Sequence, residues 1–159
     1  PNAGKSSLLS ILTNARPKIG NYPFTTIEPN LGVLATGEKK GIVIADIPGL
    51  IEGASRGKGL GITFLRHVEK TQLLIHCIDA SEEDIEKSYQ TVRNELLLYD
   101  AHLSEKEELI LLTKSDLLSQ EELGKKVKLA QKFSNTALPI SIYEEKAIED
   151  LKKKLAALV

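Results

Sequence analysis

The sequence has 159 residues, 42% of them hydrophobic and 27% charged, which fits one globular domain over residues 1–159, and no apolar stretch is long enough to cross a bilayer. The formal net charge of −1 excludes binding to nucleic acid through a global basic field, so such a contact would need a local patch or another domain. The single cysteine, Cys77, lies in an apolar run and excludes an internal disulfide, so we expect a buried strand thiol and a cytoplasmic setting.

Apolar runs alternate with amphipathic segments, a pattern typical of an α/β domain in three layers with a mostly parallel central sheet. The predicted strands are Gly32–Thr36, Gly41–Asp46, Gln72–Asp79, Glu108–Thr113 and Ala137–Ile142. The predicted helices are Lys5–Asn14, Leu60–Glu69, Lys87–Ala101, Gln120–Phe133 and Ala147–Leu158. His76, inside a predicted strand, is expected to be a core or inter-strand histidine.

The first seven residues match the last part of the phosphate-binding motif G-x-x-x-x-G-K-[ST]; they are Pro1, Asn2, Ala3, Gly4, Lys5, Ser6 and Ser7. Glycine lets the backbone approach phosphates, and the free N–H groups at the start of a helix attract them. Lys5 is predicted to contact the β- and γ-phosphates, and the Ser6 hydroxyl to bind Mg²⁺. A chance helix cap is the alternative that this segment alone leaves open.

The first glycine of this motif and the strand that normally precedes it do not occur in the sequence. In a P-loop domain that strand lies in the middle of the sheet, between Gly41–Asp46 and Gln72–Asp79. We therefore expect that the chain is a piece of a longer protein and that these two strands do not pair directly.

A second motif, formed by Asp46, Ile47, Pro48 and Gly49, follows an apolar predicted strand. A carboxylate at a strand end can hold the hydration shell of Mg²⁺, and the Gly49 N–H can contact a γ-phosphate. An ordinary strand-ending turn is the alternative. The 40 positions from Ser6 to Asp46 favour the metal site, because they accommodate one helix, one long loop and a hairpin.

The loop between these motifs contains Phe24, Thr25, Thr26, Ile27 and Glu28, which show no periodicity. A threonine hydroxyl in this loop can complete the Mg²⁺ shell when the γ-phosphate is present, and we prefer Thr26 to Thr25. The five residues are predicted to belong to the nucleotide-binding loop, which is long for so small a domain.

A base pocket is predicted from Thr113, Lys114, Ser115 and Asp116, which follow a predicted strand. Asp116 can accept hydrogen bonds from the N1–H and the exocyclic amine of guanine, both of which adenine lacks, and this difference supplies specificity. The aliphatic stem of Lys114 can lie along the base. Taken alone, the motif could instead cap the next helix.

The last predicted strand ends with Ser141, Ile142 and Tyr143, where a backbone N–H can meet the guanine O6. G domains usually have Ser-Ala at this place and Asn-Lys-x-Asp at the earlier one, so Ile142 and Thr113 depart from the pattern. Guanine remains the predicted base. A lower affinity for guanine nucleotides is one expected consequence of these two departures.

The residues around the two central loops resemble the Obg family of GTPases. The segment 15–33, ARPKIGNYPFTTIEPNLGV, is similar to its switch I, and Asp46–Ala54 with Gly57, Gly59, Leu60, Gly61 and Phe64–Thr71 is similar to its switch II. The YchF group shares the first pattern, but it resembles this chain less after Asp46 and lacks Lys-x-Asp.

The resemblance implies a P-loop NTPase with a Ras-like G domain that slowly hydrolyses GTP to GDP and phosphate. It implies Mg²⁺ ligands at Ser6 and Thr26, and catalytic contacts from Lys5, Thr26 and Gly49. Leu50 occupies the place where many GTPases have a glutamine that orients water, so hydrolysis must rely on positioning, Mg²⁺ or a group from elsewhere. Asn2 matches an asparagine that holds K⁺ in related GTPases, and a turn-stabilising role is equally open.

The partners implied by the resemblance are GTP, GDP, guanosine tetraphosphate and the large ribosomal subunit, and a monomer is expected. The implied role is a switch in large-subunit assembly and stress response. A nucleotide-sensing module with incidental turnover is a second hypothesis. An ATPase of the YchF type is disfavoured by Asp116.

Overall fold

The computed structural model of the chain describes residues 2–13, 30–36, 39–46, 71–99 and 101–158. Within these ranges the α-helices are α1 (Lys5–Leu12), α2 (Ile85–Tyr99), α3 (Gln120–Ala130) and α4 (Glu145–Leu158). The strands are β1 (Asn30–Thr36), β2 (Lys39–Asp46), β3 (Leu74–Asp79), β4 (Glu108–Thr113) and β5 (Leu138–Pro139). Short 3₁₀ helices span Ala101–Glu105 and Ser115–Leu117.

The strands form two hydrogen-bonded groups. β1 and β2 are an antiparallel hairpin in which Asn30 pairs with Asp46. β3, β4 and β5 form a parallel sheet in that order, and Asp79 lies opposite Thr113 at the carboxyl end of the β3–β4 ladder. In the described part of the chain β2 and β3 share no ladder, so the prediction that these two strands do not pair directly is confirmed.

The centre of the fold is β4, which is covered on both faces as expected for an inner parallel strand. Because side chains alternate along a strand, Leu109 and Leu111 enter one core cluster while Ile110 and Leu112 enter the other. The first cluster also contains residues of α1, β1 and α4, and the second contains residues of α2 and α3. Each buried leucine or isoleucine contributes about 2 kcal/mol of burial free energy.

The two hydrogen-bonded groups share the first cluster. Ile42 and Ile44 of β2 and Ile75 and Cys77 of β3 all pack against it. The hairpin is therefore held next to the parallel sheet by side-chain packing.

The strand and helix boundaries differ from the predictions at several ends. β5 spans two residues where Ala137–Ile142 was predicted, because Pro139 has no N–H and the chain turns after the Ile140 N–H has bonded to the Leu112 carbonyl at 2.9 Å. α2 begins two residues before the predicted Lys87, since Asp84 caps it by accepting the Lys87 N–H at 2.9 Å. α4 also begins earlier than predicted, with Glu144 accepting the Ile148 N–H at 3.1 Å.

The other differences are small. α1 ends at Leu12 and α3 at Ala130, before the predicted Asn14 and Phe133. β1 and β2 each start two residues earlier than predicted, and β3 starts two residues later. The predicted helix Leu60–Glu69 lies outside the described residues.

His76 was expected to be a core or inter-strand histidine, and the structure confirms it. Its Nδ1 lies 2.8 Å from Glu108 Oε1 on the neighbouring strand, and both side chains are buried. The Tyr89 hydroxyl donates to the other oxygen of Glu108 at 3.3 Å, and the His76 and Tyr89 rings stack with centroids 5.4 Å apart.

None of the helices that the structure describes is long and apolar enough to span a membrane.

Candidate functional site

The predicted phosphate-binding segment begins α1 with a glycine at the cap position. Gly4 is the N-cap residue, its φ of 76° lies in the left-handed region, and it makes no side-chain cap hydrogen bond within the described residues. A Cβ atom on Gly4 would meet nothing within 4 Å, so glycine is needed for its conformation and not for space. The first N–H groups of a helix have no intrahelical acceptor, and such groups can bind an external anion. This geometry favours the phosphate interpretation over a chance helix cap.

Ser6 in the first turn of α1 and Asp46 at the end of β2 lie together, 40 positions apart in the sequence. The Ser6 hydroxyl donates a hydrogen bond to Asp46 Oδ2. Asp46 is only 9% exposed, and its other oxygen, Oδ1, is buried without a hydrogen-bond partner among the described residues. An unpaired buried carboxylate oxygen is costly, and a hydrated cation would satisfy it. Hydroxyl and carboxylate oxygens are the ligands that Mg²⁺ prefers, so this pair fits Mg²⁺.

No group of three or more His, Cys, Asp or Glu side chains able to hold a metal occurs in the described ranges. A magnesium site at Ser6 and Asp46 needs no such group, because Mg²⁺ keeps several of its waters and is completed by phosphate oxygens.

Cys77 of β3 lies close enough to this region to respond to its charges. Burial raises the pKa of the Cys77 thiol to about 12, with Lys5 opposing the increase and Asp46 adding to it. The thiol is therefore protonated at neutral pH, in agreement with the expected strand thiol.

Thr113, at the end of β4, links the predicted base-binding segment to the predicted phosphate-binding segment. Its buried hydroxyl lies 2.9 Å from the carbonyl oxygen of Ala3 and 3.1 Å from that of Ile78, and its single proton is shared between them. In the sequence, Thr113 stands out only as a departure from asparagine. In the structure, its hydroxyl joins two segments that are 110 positions apart in the chain.

Lys114 and Asp116 follow Thr113 in a tight turn. Lys114 adopts a left-handed backbone with φ of 55°, and Asp116 is exposed in the 3₁₀ helix that follows. The cap of α3 is Ser119, whose Oγ accepts the Glu122 N–H at 3.3 Å while Glu122 accepts the Ser119 N–H at 3.0 Å. The alternative that this motif caps α3 is therefore wrong.

A neighbouring loop brings the end of β5 to the same place. The Ser115 N–H donates to the Ile140 carbonyl at 3.3 Å, and the Ser141 Oγ accepts the Tyr143 N–H at 3.2 Å. Ser115 and Ser141 are buried, whereas the Tyr143 side chain is 82% exposed.

A cavity of about 220 Å³ opens between these loops. Its lining residues are Gly4, Ser7, Leu8, Thr113, Lys114, Asp116, Leu117, Ile140, Ile142 and Tyr143. The cavity thus joins the start of α1 with both predicted base-binding segments.

One charged residue of this region was missed by the sequence analysis. This residue is Asp79, at the end of β3. Its Oδ2 atom lies 2.5 Å from the Nζ atom of Lys114. The parallel β3–β4 register that brings them together can be inferred from the strand order, but the specific ion pair has no local sequence signal.

Several predicted site residues lie outside the described residues. They are Pro1, Phe24, Thr25, Thr26, Ile27, Glu28, Ile47, Pro48 and Gly49. Their roles stay predictions.

Comparison with known proteins places the chain among GTPases. The family model described as "50S ribosome-binding GTPase" matches residues 1–114. The chain is 51% identical over 160 residues to the GTPase Obg of Pelagibacter ubique and 48% identical over 158 residues to that of Porphyromonas gingivalis. These alignments cover 100% and 98% of this chain but only 49% and 39% of the relatives, so the chain spans less than half the length of either.

The fold is similar to solved G-domain structures. Aquifex aeolicus Era bound to GDP and AlF₄⁻ aligns with a TM-score of 0.68 at 21% identity, over 100% of this chain and 54% of that one. Era in complex with MgGDPNP and a segment of 16S ribosomal RNA aligns with the same TM-score and identity, over 99% and 53%.

The Thr113 hydroxyl yields a stability prediction. Thr113→Val keeps the shape of the side chain but leaves the buried carbonyl of Ala3 without this donor, so we expect a loss of about 1–3 kcal/mol in the free energy of unfolding. Urea denaturation measures it. The control Thr91→Val removes a hydroxyl whose bond to the Lys87 carbonyl within α2 is exposed, and it should cost less than about 0.5 kcal/mol. Equal losses in both variants would contradict a linking role for Thr113.

Proposed function

This chain belongs to the Obg family of P-loop GTPases, and on that premise we propose that it binds guanine nucleotides with Mg²⁺ and slowly hydrolyses GTP to GDP and phosphate. The observation that carries the proposal is the convergence of three elements on one region. The uncapped start of α1, the Ser6–Asp46 pair and the Asp116 cavity each suit a different part of a nucleotide.

Guanine recognition is assigned to Asp116 and to the loop after β5. The exposed Asp116 carboxylate can accept the N1–H and the exocyclic amine of guanine, and adenine would leave it without these donors. Because the Tyr143 N–H already donates to Ser141 Oγ, the Ile142 N–H is the backbone donor assigned to the guanine O6. A backbone donor is unaffected by the change from alanine to isoleucine at this position.

The phosphates are assigned to the start of α1 and to Lys5. Ser6 is the proposed first Mg²⁺ ligand, with Asp46 holding the hydration shell and Thr26 as the proposed second ligand, and the Ser6–Asp46 contact and the unpartnered Asp46 Oδ1 support this assignment. Bound Mg²⁺ supplies neutralisation of the charge that develops on the phosphate oxygens. Lys5 and Gly49 contribute donors to the same oxygens, and Leu50 cannot orient water, which supports slow hydrolysis. Asn2 has φ of 58°, and both of its roles, K⁺ ligand and turn residue, remain proposals.

The proposed cellular role is a switch in assembly of the large ribosomal subunit and in stress response, with guanosine tetraphosphate as a further ligand. The description of the matching family supports the ribosomal partner. The net charge of −1 implies that a local patch or another domain makes that contact. A monomeric cytoplasmic protein is part of the same proposal.

Base selectivity tests the Asp116 assignment. Asp116→Asn should shift the preference from GDP toward XDP by about tenfold or more, because an amide can donate to the xanthine 2-oxo group and a carboxylate cannot. Competition binding with GDP, XDP and ADP measures the shift, and Asp150→Asn on the exposed face of α4 is the matched control. ADP competing as well as GDP against the parent chain would refute the base assignment.

Magnesium dependence tests the phosphate assignment. Ser6→Ala should weaken GTP binding about tenfold or more in Mg²⁺ and slow hydrolysis, but leave binding in a chelator unchanged, since only a metal ligand is lost. Ser10→Ala is the control, because its hydroxyl bonds to the Ser6 carbonyl on the exposed side of the same helix. Calorimetry with and without Mg²⁺ and phosphate release provide the readouts. An unchanged Mg²⁺ dependence in Ser6→Ala would count against the site.

A further inference from the structure

The loop that follows β4 contains Lys114, which forms an ion pair with Asp79. Asp79 was not among the predicted site residues. Asp79 Oδ2 lies 2.5 Å from Lys114 Nζ, and their side chains are 12% and 37% exposed. Asp79 is the last residue of β3 and lies opposite Thr113 in the parallel register. The Ala80 N–H continues that ladder to the Thr113 carbonyl at 2.9 Å, so the backbone places the two charges together.

The Asp79 carboxylate is held from its other side. Its Oδ1 accepts the Ser81 N–H at 2.9 Å and the Ser81 hydroxyl at 2.6 Å. Burial favours a higher pKa for Asp79, but the hydrogen bonds from Lys114 and Ser81 outweigh it and hold the pKa below its usual value. Asp79 is therefore ionised at neutral pH and its orientation is fixed before any ligand arrives.

Lys114 needs such a partner for two physical reasons. Its left-handed backbone is uncommon for a residue other than glycine and persists only where the surroundings impose it. A long lysine side chain also loses about 2 kcal/mol of rotamer entropy when it is ordered. Fixing its amine at Asp79 lays the aliphatic stem along the cavity wall, and the entropy is then lost on folding rather than on binding.

We propose that Asp79 is a positioning residue for the base site, which holds Lys114 so that its stem forms one wall of the purine cavity. This role rests on the guanine-nucleotide function proposed above. It explains which contact keeps the Lys114 side chain ordered before a nucleotide binds. Since the stem contacts the face of a purine and not its edge, Asp79 sets the affinity for the nucleotide and leaves the choice between purine bases to Asp116.

A double-mutant cycle tests this coupling on the full chain, with GDP and IDP affinities measured by calorimetry. Asp79→Asn should weaken GDP binding roughly tenfold, as expected for loss of a charged hydrogen bond, and should leave the ratio of GDP to IDP affinity unchanged. In a Lys114→Met background the same substitution should have less than about a twofold effect, because the group through which it acts is already absent.

Two further variants serve as a second test of the positioning role and as a control. Ser81→Ala removes one bond that orients the carboxylate and should weaken GDP binding in the same direction, by about two- to threefold, even if Asp79→Asn folds poorly. Glu121→Gln breaks the exposed Lys125–Glu121 pair at 2.6 Å and should leave GDP affinity unchanged.

The outcomes distinguish failure of the proposed nucleotide-binding function from failure of the positioning role of Asp79. Failure of the parent chain to bind GDP would overturn the proposed function and this inference with it. GDP binding by the parent with unchanged affinity in Asp79→Asn and Ser81→Ala would overturn the positioning role alone. An equal loss from Asp79→Asn in the parent and Lys114→Met backgrounds would also overturn it, since Asp79 would then act on the fold and not through Lys114.

Discussion

The structure depends on the burial of β4 between two layers of helices. Leu109, Ile110, Leu111 and Leu112 are at most 1% exposed, and they alternate between two core clusters that together include residues of all four described α-helices. Because a parallel strand covered on both faces has its neighbours and register fixed by packing, the ends of β3, β4 and β5 come to one edge of the sheet. Residues Asp79, Thr113 and Ser141 lie at that edge, and the cavity opens beside it.

Three hydrogen bonds connect the segments of the candidate site. Thr113 bonds to the phosphate loop, Ser115 bonds to the end of β5, and Ser6 bonds to the end of β2. Each connection joins segments that are distant in the sequence, so the geometry of the loops is imposed by the packed sheet and not by local turn preferences. The Ser6–Asp46 contact depends on tertiary packing, because β2 has no ladder to β3 in the described part and its Ile42 and Ile44 pack against the first core cluster.

Much of this arrangement could be predicted from the sequence. Glu108–Thr113 was predicted with the observed bounds because an uninterrupted apolar run ends in polar residues, and the Ser6–Asp46 approach followed from two motifs at a suitable spacing. β5 was overestimated because the apolar pattern continues past Pro139, whereas the chain turns away after the Ile140 N–H has bonded to the Leu112 carbonyl. The bonds of Thr113 to Ala3 and of Asp79 to Lys114 have no local signature, since they depend on which strand ends become neighbours. The predicted contributions of Thr26 and Gly49 lie outside the described residues.

The central claim is that these separate segments form one nucleotide site. Hydrogen exchange of the backbone amides, with and without GDP and Mg²⁺, tests it most directly, because exchange reports local opening segment by segment. We expect added nucleotide to slow exchange together in residues 2–9, 44–46, 113–117 and 141–143, and to leave exchange in the helix Gln120–Ala130 unchanged. Protection confined to one of these segments, or absent from all of them, would contradict a single site built from the phosphate loop, the metal pair and the base cavity.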